Sequence, residues 1–201
     1  MPQPAGTFFA WGLNNAGKWA KTEADYNASV GICDIGFNTL DVFTLQGGKI
    51  RHRYTGGDTA GMRRAIEVLQ SSLRNEYGVK YSLHETDAFI RQGNPVIQIA
   101  RGNIDLTAMI TDAKKATAAG ITTFLGERWG NGLQFGHILF TGGGAPALKE
   151  DLLEAYPTGN VMRNAVMANA LGLARYGKRV FDQGKTVGFD PGFGGFKAVC
   201  L

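Results

Sequence analysis

The sequence has few of the residues that link a protein covalently or anchor it in a membrane. Its 201 residues include two cysteines. Cys33 lies in an apolar run expected to be a buried strand and Cys200 lies at the extreme C-terminus, so we expect a reducing cytoplasm and no disulfide framework. No apolar run approaches the length of a membrane span, and no charged-then-apolar leader is present. These absences predict a cytoplasmic protein without a membrane partner.

The sequence also has little excess charge and no metal-ligand spacing. Its net charge is +4, and the densest basic cluster is 51–53 followed by Arg63 and Arg64. A nucleic-acid groove needs a denser basic face with interleaved aromatic residues. We interpret the cluster as a solvated hairpin end and helix face, so direct nucleic-acid binding is not expected, while a contact with a filament or a DNA adaptor stays open. The three histidines share no ligand spacing, which argues against a structural zinc site.

Glycine is abundant, with 29 residues, and many of them fall in three short turns. The first turn lies in the apolar run 30–43, where Asp34 ends a predicted strand and Gly36 follows it. Glycine at such a turn lets backbone N–H groups face a phosphate. Because like charges repel, the carboxylate is expected to hold a hydrated Mg²⁺ beside the phosphate, with Asn38 and Thr39 as neutral donors.

The second turn repeats this signature in residues 186–199. Asp190 and Gly192 form a second Asp-x-Gly turn, and Lys197 adds a point charge for a β- or γ-phosphate. Each copy alone is also compatible with an ordinary hairpin that has Asp and Gly in its turn. Two copies together favour two hairpins that face one nucleotide from opposite sides.

The third turn follows a predicted apolar strand over 137–141. Three consecutive glycines, 142–144, separate this strand from a helical stretch over 147–156. Glycines at a strand-to-helix turn let a flat ligand or a phosphate approach the main chain, and the helix N-terminus favours negative charge. The alternative is a flexible glycine loop.

Apolar periodicity predicts an α/β fold, with strands first and then alternating helices and strands. Helices are predicted over 4–13, 59–77, 84–92, 105–129, 146–155 and 161–177. Strands are predicted over 29–35, 39–46, 49–55, 79–82, 95–100, 137–141, 186–189 and 196–201. The stretch 56–59 is expected to cap the second helix, 14–27 to be a loop, and 47–48 to be a hairpin turn. At roughly 150 residues per domain, the length supports one domain and a fraction.

These motifs resemble the actin-like ATPases of the actin, sugar-kinase and Hsp70 superfamily, and the plasmid-segregating bacterial and archaeal members in particular. Asp-Ile-Gly-Phe-Asn-Thr-Leu-Asp at 34–41 is similar to the second phosphate motif and Phe-Thr-Gly-Gly-Gly-Ala at 140–145 to the adenosine motif. Residues 164–172 are similar to a helix that links the two halves of that fold, and 1–6 to the other link. Residues 190–197 are similar to the first phosphate motif.

The resemblance implies a ribonuclease H-like, actin-like fold and a site for ATP or GTP with Mg²⁺. It implies that Asp34 is catalytic, that Gln3 orients the attacking water, and that Asp34 and Asp190 hold the metal through water. The residues implied to contact the nucleotide are Gly36, Asn38, Thr39, Asp190, Gly192, Phe193, Gly194 and Lys197 around the phosphates, Gly142, Gly143 and Gly144 at adenosine, and Gly57 and Asp58 near the ribose.

The order of the motifs departs from the family pattern, because the family's opening motif stands here at the C-terminus. The sequence therefore resembles an incomplete or circularly permuted second half. We expect an interdomain link over 1–28, the second half over 29–178 with a small insertion at about 79–103, and a displaced phosphate hairpin over 179–201. The hairpin could fold back on its own domain, exchange strands with another copy, or pair with a separate chain that carries the missing first half. We favour an intermolecular partner, because an unpaired apolar strand is an aggregation-prone edge.

Three functions from different classes follow. The first is an actin-like protein that binds nucleotide and assembles into filaments, with ATP hydrolysis timing assembly in plasmid segregation or a cytoskeleton. The second is a small-molecule kinase of the same superfamily. The third is a non-catalytic fragment that regulates a filament because its cleft is incomplete. We favour the first.

Overall fold

Helices and strands alternate along most of the chain, as expected for the α/β class. The structure is a computed structural model, and it describes residues 3–91, 95–181, 184–192 and 195–201. The helices are α1 (Ala5–Gly12), α2 (Glu23–Asn27), α3 (Arg63–Tyr77), α4 (Leu83–Arg91), α5 (Thr107–Trp129), α6 (Lys149–Ala155) and α7 (Ala168–Phe181). The strands are β1 (Ser29–Ile35), β2 (Leu40–Gln46), β3 (Lys49–Ile50), β4 (Gly56–Asp58), β5 (Val96–Ile99), β6 (Gly102–Asp105), β7 (His137–Thr141), β8 (Gly159–Val161), β9 (Val187–Gly192) and β10 (Gly195–Cys200). Short 3-10 helices span His52–Tyr54, Pro146–Leu148 and Ala165–Met167.

A six-stranded sheet forms the centre of the fold. Strand β1 pairs antiparallel with β2 and parallel with β7, and β8 continues the parallel side. Strands β3 and β4 share the far edge of β2. Because β1 and β7 run parallel, their carboxyl ends meet at one edge of the sheet, where the first phosphate turn and the glycine loop begin.

Helices cover both faces of the sheet, so β1 is buried on both sides. Val30 and Ile32 pack with Phe8 of α1 on one face. Cys33 and Ile35 point to the other face and join the larger core, which α3, α5 and α6 complete. This continuous apolar run is typical of a strand with both faces covered.

Helices α1 and α7 cross with almost no side chain between them. A Cβ on Gly172 would overlap the carbonyl of Gly6, and a Cβ on Gly6 would lie 2.7 Å from the Cα of Asn169. The contact therefore requires glycine at both positions. It joins the first helix of the chain to the last one.

The C-terminal hairpin folds back onto its own chain. Strands β9 and β10 pair antiparallel, and a Cβ on Gly188 would overlap the carbonyl of Ala170 in α7. The Thr186 hydroxyl donates to the carbonyl of Ala174, also in α7, at 3.0 Å. Of the three placements considered for the hairpin, the structure shows the first. Strand exchange and a separate chain stay predictions.

Two segments predicted as strands are capped or interrupted. The predicted strand 49–55 consists of β3 and a 3-10 turn over His52–Tyr54, and β4 begins only after it, at Gly56. The Trp129 indole N–H donates to the carbonyl of Tyr54 at 3.1 Å and holds the turn. The predicted strand 79–82 is absent among the described residues, because Ser82 caps α4. The Ser82 hydroxyl accepts the backbone N–H of Glu85 at 3.2 Å, and the Glu85 carboxylate accepts the backbone N–H of Ser82 at 2.8 Å.

Two predicted helix starts are also wrong. Helix α3 begins at Arg63 and is not capped by the stretch 56–59, because the backbone N–H groups of Met62 and Arg63 bond to the carbonyls of Gly36 and Phe37. The helix predicted over 161–177 begins at Ala168. Before it, β8 and a 3-10 turn are tied to β7.

Short elements were missed where local signals are weak. The predicted loop 14–27 contains α2, which a reciprocal Thr22–Asp25 capping box starts. Strand β8 was not predicted, nor was β6, which forms a separate two-stranded sheet with β5. This sheet lies at the C-terminal end of the predicted insertion, 79–103. In the described part of the chain, no helix combines the length and the apolarity needed to cross a membrane.

Candidate functional site

A cleft of about 450 Å³ opens where the two phosphate turns and the glycine loop meet. The residues of the sequence prediction that line it are Gln3, Asp34, Gly36, Asn38, Thr39, Gly142, Gly143, Gly144, Gly192 and Lys197. These residues come from both ends and the middle of the chain. The fold therefore gathers four separate segments around one cavity.

Asp34 stands at the carboxyl end of β1 on the floor of the cleft. Burial raises the pKa of its carboxyl from 3.8 to about 6, and the charges of Asp190 and Asp41 add to the increase. A hydrogen bond from the Asn169 side chain acts in the opposite direction and lowers this pKa. Ionisation of this carboxyl is unfavourable in its surroundings. A cation bound beside the carboxylate would favour the ionised form, so the position suits a cation.

Asn169, which the sequence prediction missed as a site residue, connects the carboxylate to both crossing helices. Its amide nitrogen donates to Asp34 Oδ2 at 2.7 Å. Its Oδ1 accepts two hydrogen bonds from Thr7, from the backbone N–H at 3.1 Å and from the hydroxyl at 2.8 Å. Asn169 is buried, so α1 and α7 fix the direction in which Asp34 points. The available signal was a lone amide in an otherwise apolar stretch, 168–172.

Asp190 lies beneath the cleft and is 1% exposed. Lys197 Nζ, from the opposite strand of the hairpin, donates to its Oδ2 at 3.1 Å. The Gln3 side-chain amide nitrogen donates to Asp190 Oδ1. The second phosphate turn is thus attached to the first residues of the chain and holds its lysine at the cleft wall.

The glycine loop leaves open space for a ligand at one of its three positions. Gly142 has φ +84°, which favours glycine, and a Cβ on Gly144 would lie 2.5 Å from Ile35 and 2.6 Å from Met62. A Cβ on Gly143, by contrast, would have no atom within 4 Å. The main chain at Gly143 therefore faces the cleft without obstruction.

The first phosphate turn is closed by its own backbone. The N–H of Gly36 bonds to the carbonyl of Thr39 at 2.8 Å, and the Thr39 hydroxyl donates to Asp41 Oδ2 at 3.3 Å. The side-chain carbonyl oxygen of Asn38 is buried without a hydrogen-bond partner in the described structure. Buried polar atoms normally have partners, so this one is available to a bound donor. Asp41 also lines the cleft and was not predicted.

Two of the predicted residues lie on a strand outside the lining of the cleft. Gly57 and Asp58 lie exposed on β4, where they pair with Asp41 and Leu40 of β2, and they are not among the residues that line the cavity. Phe193 and Gly194 lie outside the described residues. The cleft wall instead includes Arg91, at the end of α4, whose Nε also bonds to Asp87.

The donors in the cleft fit a hydrated cation better than a metal held by the protein alone. Among the described residues, no three His, Cys, Asp or Glu side chains are grouped as metal ligands. One Asp34 carboxylate oxygen is already bonded to Asn169. Magnesium keeps several waters and binds through one or two carboxylates together with phosphate oxygens, which matches this donor set.

Comparison with known proteins identifies related folds. Residues 32–154 match the family described as archaeal actin homologue MreB-like, C-terminal. No curated protein sequence matches the chain.

Solved structures of actin-like proteins are similar over most of the chain. A non-polymerisable quadruple mutant of the pCBH ParM has a TM-score of 0.71 and 21% identity, over 90% of this chain and 53% of that protein. A ParM from Clostridium botulinum, solved as a 15-stranded filament, has a TM-score of 0.71 and 22% identity, and the match covers 89% of this chain and 52% of that protein. The archaeal actin homolog Ta0583 has a TM-score of 0.71 and 15% identity, and the match covers 90% of this chain and 55% of that protein. A structure of Ta0583 in complex with ADP also matches the chain. The chain thus spans about half the length of the structures it matches.

Proposed function

This chain belongs to the archaeal actin homologue MreB-like C-terminal family, and on that premise we propose that it binds a Mg²⁺–nucleoside triphosphate in the cleft between its two phosphate turns. The observation that carries the proposal is the convergence of two Asp-x-Gly turns, distant in sequence, on one cavity with a glycine loop at its wall. The ADP complex of a similarly folded archaeal protein supports the ligand class.

Different residues of the cleft contact different parts of the nucleotide. The Gly36 turn and Lys197 face the phosphates, and the open main chain at Gly143 receives the adenosine or guanosine part. When bound, Mg²⁺ would neutralise phosphate charge beside Asp34 and Asp190. A bound Mg²⁺ would account for the proximity of the Asp34 and Asp190 carboxylates, which in its absence raises the pKa of Asp34.

Hydrolysis is the proposed reaction, and Gln3 is its positioning residue. The Gln3 amide nitrogen is engaged by Asp190, which leaves the amide oxygen to accept a hydrogen bond from water. A glutamine is not a base, so its contribution is orientation of the attacking water. Hydrolysis would time assembly into filaments, the form in which one similar ParM was solved, and a plasmid-segregation or cytoskeletal role would follow.

Nucleotide titration tests the site directly. Isothermal titration of the 201-residue chain with ATP, GTP and ADP, with Mg²⁺ and with EDTA, should give saturable binding that Mg²⁺ strengthens. The Gly143→Leu variant should bind at least tenfold more weakly, because the side chain occupies the cleft and not the core. Gly126→Leu is the matched control, since a Cβ there also has no atom within 4 Å, and the position is in α5, away from the cleft. Equal affinity in the two variants would remove the glycine loop from the site.

Turnover and pelleting separate the functional classes. Phosphate release together with nucleotide-dependent sedimentation supports the filament ATPase. Binding without either supports the non-catalytic regulator, and phosphorylation of a small substrate supports the kinase. A chain that binds no nucleotide at all contradicts the proposal.

A further inference from the structure

Positive charge is concentrated in one short segment at the edge of the main sheet. Lys49, Arg51 and Arg53 lie within five residues of one another, and the rest of the sequence is nearly balanced, with 18 Lys and Arg against 17 Asp and Glu. No acidic residue occurs over 42–57. These three side chains and His52 between them are exposed. We call the four residues the basic turn.

The side chains of the basic turn have no acidic partners within the described part of the chain. Ion pairs form elsewhere on the surface, as between Arg63 and Glu67, but none of those found among the described residues involves the basic turn. Charged side chains normally stay in water, so their exposure requires no covering layer. Like charges held close together repel one another, and an anionic partner would remove that repulsion.

The backbone of the basic turn is tied to the core of the fold. The N–H of Arg51 bonds to the carbonyl of Thr44 at 2.8 Å, and the Thr55 hydroxyl donates to the carbonyl of Arg51 at 3.2 Å. The Trp129 indole N–H holds the carbonyl of Tyr54. The charges therefore project from a fixed backbone, so less conformational freedom is lost when a partner binds.

An apolar side chain lies on the neighbouring turn. Leu133 is 80% exposed, the highest value for a large apolar residue in the described structure. Its turn is joined to the basic turn through Phe135, whose ring meets the ring of Tyr54 edge to face with centroids 6.3 Å apart. The Gln134 side-chain amide also donates to the carbonyl of Trp129 at 2.8 Å. The two turns thus combine positive charge with one apolar contact.

We propose that the basic turn and Leu133 form a docking surface for an acidic segment of a partner protein, in which carboxylates flank an apolar residue. Arginine guanidinium groups can hold carboxylates with two parallel hydrogen bonds, which gives such a contact direction as well as charge. A nucleic acid would need a longer basic face to follow several phosphates, and it would not use Leu133. The proposal goes beyond nucleotide binding, because none of these residues lines the cleft.

Fluorescence anisotropy without nucleotide tests the docking surface. The probe is a short labelled peptide of glutamates interrupted by leucines, in about 0.15 M salt, where charges more than about 8 Å away are largely screened. The wild-type chain should bind it saturably. The variant Arg51→Glu with Arg53→Glu should bind at least tenfold more weakly, because the reversed charges repel the peptide.

The matched control is Lys80→Glu with Lys115→Glu, which changes the net charge equally at exposed positions on other parts of the surface. Its affinity should stay within about threefold of wild type. Absence of peptide binding to wild type, or equal weakening in the two double variants, overturns the proposal.

A second peptide, with serine in place of leucine, tests the apolar contact. Wild type should bind it several-fold more weakly than the first peptide, and Leu133→Ser should bind both peptides equally. Equal affinity of wild type for the two peptides overturns the role of Leu133. A labelled oligonucleotide that binds wild type more tightly than the peptides, through Arg51 and Arg53, overturns the choice of a protein partner. So does self-association that Arg51→Glu with Arg53→Glu abolishes, since a second copy would then occupy the surface.

Nucleotide titration of the same variants keeps this test separate from the cleft. The variant Arg51→Glu with Arg53→Glu should bind Mg²⁺–ATP as wild type does, because both arginines lie outside the lining of the cavity. Failure of nucleotide binding in wild type would contradict the proposed function and leave the peptide result unchanged.

Discussion

The ionisation of Asp34 should cost the protein folding stability at neutral pH. The pKa of this carboxyl is about 6 in the folded chain, against an ordinary value of 3.8. The folded state thus binds the proton more tightly than the unfolded state. Each pKa unit corresponds to 1.36 kcal/mol, so the ionised carboxylate destabilises the fold by about 3 kcal/mol above pH ~6. Below pH ~4 both states are protonated and the penalty vanishes.

Asp34→Asn removes the titration and keeps the hydrogen bond from Asn169, because an amide oxygen accepts as the carboxylate does. We expect the variant to be about 2–3 kcal/mol more stable than wild type at neutral pH, with the difference shrinking to near zero as the pH falls from about 6 to about 4. Urea unfolding followed by circular dichroism across this pH range measures it. Asp112→Asn, an exposed carboxylate in α5, should change stability by less than about 0.5 kcal/mol.

A stability difference between Asp34→Asn and wild type that is the same at acid and neutral pH would refute this reasoning. A second measurement connects the penalty to the proposed ligand. Added Mg²⁺–ATP should raise the melting temperature of wild type and leave Asp34→Asn nearly unchanged, since a ligand stabilises in proportion to its affinity for the folded state.

Two further predictions concern the crossing helices. Asn169→Ala should lower the free energy of unfolding by about 2–4 kcal/mol, because it removes a hydrogen bond to a carboxylate and leaves buried Thr7 donors unpaired. Urea unfolding measures this change. The control variant Asn75→Ala, at an exposed position of α3, should change the free energy of unfolding by less than about 0.5 kcal/mol. Gly172→Ala should destabilise by roughly 1–3 kcal/mol, because its Cβ overlaps the backbone of α1. Gly126→Ala on α5 should instead be neutral or slightly stabilising, and similar melting temperatures for the two glycine variants would contradict the overlap.

The parts of the fold that were predictable are the parts whose signals are local. An acid at the end of an apolar run, followed by glycine, marks both phosphate turns, and the structure gathers them with the glycine loop in one cleft. The α/β class and most long elements follow from periodicity alone. The same local signals failed for β8, whose three residues become a strand only because the parallel edge of β7 is beside them.

The residues that were missed depend on contacts between distant segments. Asn169 meets Asp34 across 135 residues of sequence, and no spacing rule relates them. Asp41 was missed as a cleft residue because it follows the Asp-x-Gly turn within the strand that leaves it. Gly57 and Asp58 were assigned to the ribose by resemblance; both lie on β4, which pairs with β2, and neither is among the residues that line the cavity.

The bare contact between Gly6 and Gly172 has a mechanical consequence. Two backbones that touch without intervening side chains cannot approach further, and the hydrogen bonds of Asn169 oppose their separation. The crossing therefore sets the distance between the main sheet, on which α1 packs, and the C-terminal hairpin, on which α7 packs. It thereby also sets the distance between Asp34 on the sheet and Asp190 on the hairpin.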